Sequence, residues 1–195
     1  MNNQHIQKIK DLFVLRDDAY AIQNPNGTYT KIDKELTKRV IQKHLDHEIT
    51  IGIYQLNKEN KVKWICYDFD GEKPSDVWSE ALRFFLKLKD EDKLNPIMEF
   101  SGKKGFHVWL FCELSDAYDV KRYAEELADD FGIHEIFPKQ TEISKDGYGN
   151  LVKLPLGKHQ VSGFLSYFFD PSNIEDGYGC GDLETISFKI LEELK

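Results

Sequence analysis

The chain is short of cysteine, free of long apolar runs and carries no surplus of positive charge, and each shortage excludes something. Its three cysteines, Cys66, Cys112 and Cys180, are spaced too widely for a zinc cluster or a disulfide framework. A net charge of -8 rules out a diffuse basic surface for duplex binding, so any nucleic-acid contact must rest on local basic clusters. No apolar run approaches the roughly 20 residues that span a bilayer. The opening Met1-Asn2-Asn3-Gln4-His5 lacks the basic-then-apolar pattern of a secretory signal. These absences predict a reduced, cytoplasmic protein with no membrane contact. There is no internal repeat, low-complexity tract or clear linker, which favours one unit over two.

What is present is aromatic and apolar enough, at 13% and 41%, to fill a sizeable core. Helical spacing predicts a short helix over 4–16, with Ile6, Ile9, Leu12 and Phe13 inward. Asn24-Pro25-Asn26-Gly27 predicts a turn between two short strands. Asp33 is the expected cap of a helix to His47. A strand over 49–56 should then turn at Asn57–Asn60 and pair as a hairpin with the next strand, which ends at Asp70. Further helices are expected from Pro74, from Ser115 and from Asp182, and further strands over 96–100, 106–112, 135–138 and 151–154. Strands and helices mix without strict alternation, so the expected class is α+β with an antiparallel or mixed sheet.

The chemistry begins at Trp64-Ile65-Cys66-Tyr67-Asp68-Phe69-Asp70-Gly71, an apolar run ending in two acids. Side chains alternate along a strand, so Asp68 and Asp70 share one face, and a divalent cation is the usual relief for their repulsion. Ser101-Gly102-Lys103-Lys104-Gly105-Phe106-His107 follows between two strands. Its glycines allow close approach to an anion, its lysines supply charge, and His107 stands where the chain re-enters the sheet. A third cluster holds Glu135, Lys139, Glu142, Lys153, Lys158 and His159. Three acids for metal and a ring of Lys and His for phosphate describe a two-metal nucleotidyl-transfer site. Each element also has a plain reading, as an acidic turn, a charged hairpin loop or solvated surface charge.

The order Asp-x-Asp, then Ser-Gly-x-x-Gly-x-His, then an acid followed by Leu-Val-Lys-Leu-Pro-Leu resembles the archaeo-eukaryotic primase superfamily. With Thr50-Ile51-Gly52-Ile53-Tyr54 and Phe137-Pro138-Lys139-Gln140 as flanks, it looks like CRISPR-associated primase-polymerases and their relatives in TOTE conflict systems. The resemblance runs from about Arg16 to His159 and implies an RRM-like sheet with an N-terminal α/β layer as the other wall of a cleft. It divides the single domain into an N-terminal layer over 1–60, a catalytic core over 61–165 and a C-terminal segment over 166–195. It implies that Asp68, Asp70 and Glu142 bind two Mg²⁺ or Mn²⁺ ions, with Glu135 the rival third acid on local pattern. By the same resemblance, Ser101, Lys103, Lys104, His107, Lys153, Lys158 and His159 contact the nucleotide, and Arg16, Tyr54 and Lys139 are lesser candidates. The implied partners are nucleoside triphosphates and a DNA primer-template or single strand. CRISPR adaptation proteins would join through domains outside this chain. No zinc module is present, so primer extension is expected over initiation, as in a catalytic core taken from a longer protein.

Rivals explain less. Asp68-Phe69-Asp70-Gly71 mimics the nucleophile motif of haloacid-dehalogenase-type phosphatases, but Glu72 follows, and Gly181-Asp182 has no second acid four residues on. An Asp-x-Asp glycosyltransferase has no need of the Lys103–Lys104 loop. A non-catalytic nucleotide- or nucleic-acid-binding module on the same fold would have no need to keep the acids intact.

Overall fold

The apolar runs Trp64–Tyr67 and Val108–Cys112 fall in the two longest strands of a computed structural model that describes residues 3–173 and 183–194. In chain order the elements are α1 (Asn3–Phe13), β1 (Tyr20–Gln23), β2 (Tyr29–Ile32), α2 (Lys38–Leu45), β3 (Ile51–Tyr54), β4 (Lys61–Asp70) and α3 (Pro74–Leu86). The second half runs β5 (Ile97–Phe100), β6 (Gly105–Asp116), α4 (Ala117–Leu127), β7 (Glu135–Phe137), β8 (Leu151–Lys153), β9 (Tyr167–Phe169) and α5 (Leu183–Glu193). Two antiparallel sheets result, ordered β2-β1-β3-β8 and β7-β4-β6-β5-β9. The class is α+β, as the sequence leads one to expect.

The alternation of β4 explains why its sheet is covered on both faces. Ile65, Tyr67 and Phe69 enter an apolar core with Ala81, Phe84 and Phe85 of α3 and Val120 and Ala124 of α4. Trp64 and Cys66 enter a second core with Ile6, Ile9 and Phe13 of α1, Ile41 and Leu45 of α2, and Ile51 and Ile53 of β3. Asp68 and Asp70 continue the second face beyond the point where that core ends. The sequence of the strand therefore aims both acids at the space beside the other sheet.

Several expectations need correction. β3 does not pair with β4 as a hairpin; it lies between β1 and β8 in the other sheet. All four of its residues are buried, and the Gln55 Nε2 bond to the Trp64 carbonyl at 2.6 Å guides the crossing between sheets. α2 starts at Lys38, capped by Thr37 rather than Asp33, which instead pairs with Lys31 at 2.8 Å. β6 runs through Ser115, held by its pairing with Val62, so Asp116 caps α4 by accepting from Tyr118 N–H at 2.9 Å. β9 was not expected; it pairs with β5. The expected cap Asp182 lies outside the described residues. Among the described residues no helix is long and apolar enough to cross a membrane.

β8 is followed by a close approach that depends on one histidine. His44 accepts from Ile51 N–H at 3.1 Å and its Nε2 donates to the Pro155 carbonyl at 3.0 Å. A Cβ on Gly157 would lie 1.9 Å from the His44 ring, so only glycine fits there. Burial, followed by the Lys153 charge, lowers His44 from 6.5 to about 4. The folded state thus keeps the ring neutral, while the unfolded chain protonates it near its ordinary value. The His44 share of stability is complete above pH 6.5 and is lost as pH falls through 4, up to about 3 kcal/mol. Urea midpoints followed from pH 7 to 4 should fall more steeply in the wild type than in His44→Gln, and parallel curves would contradict this.

Candidate active site

Strand register places four ionisable side chains in one row across the second sheet. Glu135 on β7 stands opposite Asp68 on β4, Asp68 opposite His107 on β6, and His107 opposite Glu99 on β5. Directly paired residues share a face, so the row points as one toward the first sheet. Asp70 continues that face, opposite Gly105, where a Cβ would lie 2.0 Å from the Phe69 carbonyl oxygen. Glycine there is what lets the Lys103–Lys104 loop fold back on β4.

The row ends at Glu99, fully buried inside the apolar Ile97-Met98-Glu99-Phe100 strand. Its Oε2 accepts from His107 Nδ1 at 2.8 Å and from Trp109 Nε1 at 2.9 Å. Lys153, reaching across from β8 of the other sheet, brings Nζ within 3.3 Å of Oε1 and within 2.7 Å of Ser166 Oγ. Burial alone would raise Glu99, but Lys153 and His107 outweigh it and hold the carboxylate at about 2. Burial likewise opposes the charge on His107, yet Glu99 and then Asp68 raise it above its ordinary value. With Nδ1 committed to Glu99, His107 Nε2 faces Asp68 Oδ1 at 3.7 Å. The unit therefore fixes two buried cations, His107 and Lys153, beside one carboxylate.

Asp68 is pushed the other way. Burial raises its pKa, Asp70 and Glu135 raise it further, and only His107 and His134 oppose. A carboxylate crowded by two others has its charge stabilised by an added cation. On Asp70 that place is taken by Lys104, with Nζ 2.9 Å from Oδ2. The donor set is hard oxygen, which suits Mg²⁺ or Mn²⁺. Among the described residues no three His, Cys, Asp or Glu side chains stand in metal-holding geometry. A two-carboxylate seat is nonetheless the usual protein share for Mg²⁺, whose other ligands are water and substrate phosphate.

The remaining sequence-derived candidates divide. His159 lies near Lys103, Lys153 and Asp70; burial and those two lysines lower it to about 4, so it is neutral at pH 7. Ser101 is buried at the loop entry, its N–H donating to the Gly105 carbonyl at 3.0 Å. Lys103 and Lys158 are exposed beside this loop and beside His159. Glu142 is exposed in the coil after β7, its carbonyl accepting from Gln140 at 3.3 Å. Glu135, not Glu142, is the acid that the register sets against Asp68, with Lys139 as its ion-pair partner. Arg16 and Tyr54 lie apart from the row, in a cluster around Tyr148. Sequence reasoning passed over Glu99, although a lone acid in an apolar strand two residues before the glycine loop was a usable signal.

Glu99→Gln keeps the shape but removes the anion. His107 should then drop below 6.5, because burial and Lys153 both disfavour its charge. Breaking a buried pair of this kind costs about 3 kcal/mol or more. Titration of the histidine ring protons by NMR checks the shift, and a His107 that still titrates above 6.5 in the variant would contradict it.

The family described as the TOTE conflict system, Archaeo-Eukaryotic Primase domain matches residues 26–178. The archaeo-eukaryotic primase domain of the cyanophage S-2L primase-polymerase is similar in structure at 13% identity and TM-score 0.55, covering 95% of this chain and 98% of that one. At that identity the likeness is one of fold, and it bears out the expected architecture. The polymerase domain of Mycobacterium tuberculosis ligase D, in complex with DNA, has 10% identity and TM-score 0.48, covering 97% of this chain and 87% of its own. No curated protein matches the chain. The family match runs from the β1–β2 turn to beyond β9 and takes in the whole ionisable row, so this chain belongs to the archaeo-eukaryotic primase domain family of TOTE conflict systems.

Proposed function

We propose that the chain is a DNA primase-polymerase catalytic core that adds nucleotides to a primer 3′-hydroxyl under the direction of a template. One observation carries the reading: a carboxylate pair and a pair of buried cations share a single cleft face, 3.7 Å apart at His107 and Asp68. Asp68 and Asp70 would hold Mg²⁺ or Mn²⁺, with Lys104 leaving Asp70 as the ion arrives. Glu135, which stands opposite Asp68, would be the third acid in place of Glu142. Such an ion, when bound, lowers the pKa of the attacking hydroxyl and neutralises phosphate charge.

The chain's own residues account for the rest. His107 Nε2 and Lys153 Nζ are fixed donors for the triphosphate, and Lys103 and Lys158 extend that positive edge outward. Ser101 and neutral His159 offer hydrogen bonds rather than charge. The primer 3′-oxygen attacks the α-phosphorus, a new P–O bond forms, and pyrophosphate leaves toward the cations. Holding the triphosphate in line supplies orientation that solution chemistry lacks. The phosphatase alternative is not favoured, because β4 is an interior strand of an antiparallel sheet. The match to the TOTE family gives no support to CRISPR adaptation proteins as partners.

A primer-extension assay with Mn²⁺ or Mg²⁺ tests the reading. The wild type should extend a labelled primer along its template, and Asp68→Ala/Asp70→Ala should lose extension by at least about a thousandfold. Lys153→Ala should lose roughly a hundredfold, chiefly through the charge it places on phosphate. Full activity in the double variant would overturn the site, and nucleotide binding without extension would favour the non-catalytic module.

A further inference from the structure

The segment after Gly157 is a short hairpin that exposes apolar side chains at the mouth of the cleft. Lys158 pairs with Leu165 as an antiparallel bridge, and His159 N–H donates to the Phe164 carbonyl at 2.8 Å. On this hairpin Phe164 is 64% exposed, and Val161 and Leu165 are each 43% exposed. A loop tip is normally polar, and exposing a phenyl ring gains nothing for folding.

This tip is also held in place. Gln160 N–H donates to Gln23 Oε1 at 2.9 Å, and Gln160 Nε2 donates to Thr50 Oγ1 at 2.7 Å, tying the hairpin to the first sheet. Ser162 Oγ donates to the Gly102 carbonyl, tying it to the loop of the second sheet. A Cβ on Gly102 would meet the Phe164 carbonyl at 3.3 Å, so the hairpin lies directly against the loop that carries Lys103 and Lys104. Exposed cations at Lys103 and Lys158 therefore flank an exposed aromatic ring on a braced support.

We infer that the 158–165 hairpin is a stacking platform for single-stranded nucleic acid, with Phe164 under a base and Lys103 and Lys158 on the adjoining phosphates. An aromatic face accepts any base, and flanking cations track the backbone, which is the general design of sequence-independent single-strand sites. The ring stands outside the buried donors His107 and Lys153, which suits a strand running along the rim better than the nucleotide held within. In a chain of net charge -8 this local pairing of cation and aromatic is where strand affinity can arise. The inference rests on the polymerase reading only for the strand's purpose, which is to serve as template.

Binding is measured by fluorescence anisotropy with a labelled oligothymidine of about 12 nucleotides, at low salt and without nucleoside triphosphate. Phe164→Ala should weaken binding roughly tenfold, and Phe164→Trp should retain it. An abasic strand of the same length should bind the wild type as weakly as oligothymidine binds Phe164→Ala. Leu114→Ala, which removes another exposed apolar group, far along β6, should bind as the wild type does. Thermal melting confirms that the variants are folded, as expected for an exposed ring. Equal affinity of wild type and Phe164→Ala, equal affinity for abasic and thymidine strands, or no binding at all would overturn the inference. Because no nucleotide is present, the result stands apart from primer extension: binding that depends on Phe164 in a chain that extends nothing would keep the platform and remove the polymerase.

Discussion

A buried carboxylate that bridges two sheets is the constraint on which the site depends. Glu99 is fully buried, and among the described residues its charge is compensated by His107, Trp109 and Lys153. Two of those are cations, one from each sheet, so one ion-pair network sets both the spacing of the sheets and the direction of the two donors. Removing either cation would leave an uncompensated charge, which is far more costly than the pair is stabilising. The same network explains why the cleft can hold fixed positive charge beside acids without collapsing into a simple salt bridge. His107 is already committed through Nδ1, and its Nε2 stops at 3.7 Å from Asp68.

Close backbone approach is the second requirement, and it explains glycines that composition alone would assign to loops. Gly105 lets the Lys103–Lys104 turn cross over the end of β4, so that Lys104 reaches Asp70. Gly157 passes over the His44 ring immediately before the hairpin that carries His159. Neither position tolerates a methyl group, and each lies one step from a lysine, Lys104 or Lys158. Tight crossings of this kind let two small sheets pack closely in a chain of only 195 residues.

How much of this was legible in the sequence follows from the range of each interaction. The shared face of Asp68 and Asp70 depends on strand periodicity alone, and it was readable. So were the apolar stripes of the helices and the glycine-bearing loop between β5 and β6. Pairing between distant strands was not. β3 looks like the partner of β4 because a polar turn joins them, yet its residues are buried on both faces and belong between β1 and β8. Spacing along the chain points to Glu142 as the third acid, whereas register across the sheet places Glu135 opposite Asp68. Glu99 was readable as an anomaly, an acid among Ile97, Met98 and Phe100, but its partners come from β6 and β8 and no local pattern names them. The hairpin over 158–165 has no periodic signal at all, since its shape is set by hydrogen bonds to Gln23, Thr50 and Gly102.

The central claim is that the row from Glu135 to Glu99, closed by Lys153, is a seat for a metal-bound nucleoside triphosphate. A crystal structure with Mn²⁺ and a non-hydrolysable nucleoside triphosphate, read by anomalous scattering, tests it most directly. The account predicts a manganese peak between Asp68 and Asp70, Lys104 displaced from Asp70, and the phosphates against His107 Nε2 and Lys153 Nζ. Manganese or triphosphate bound elsewhere, with the Lys104–Asp70 pair intact, would contradict it.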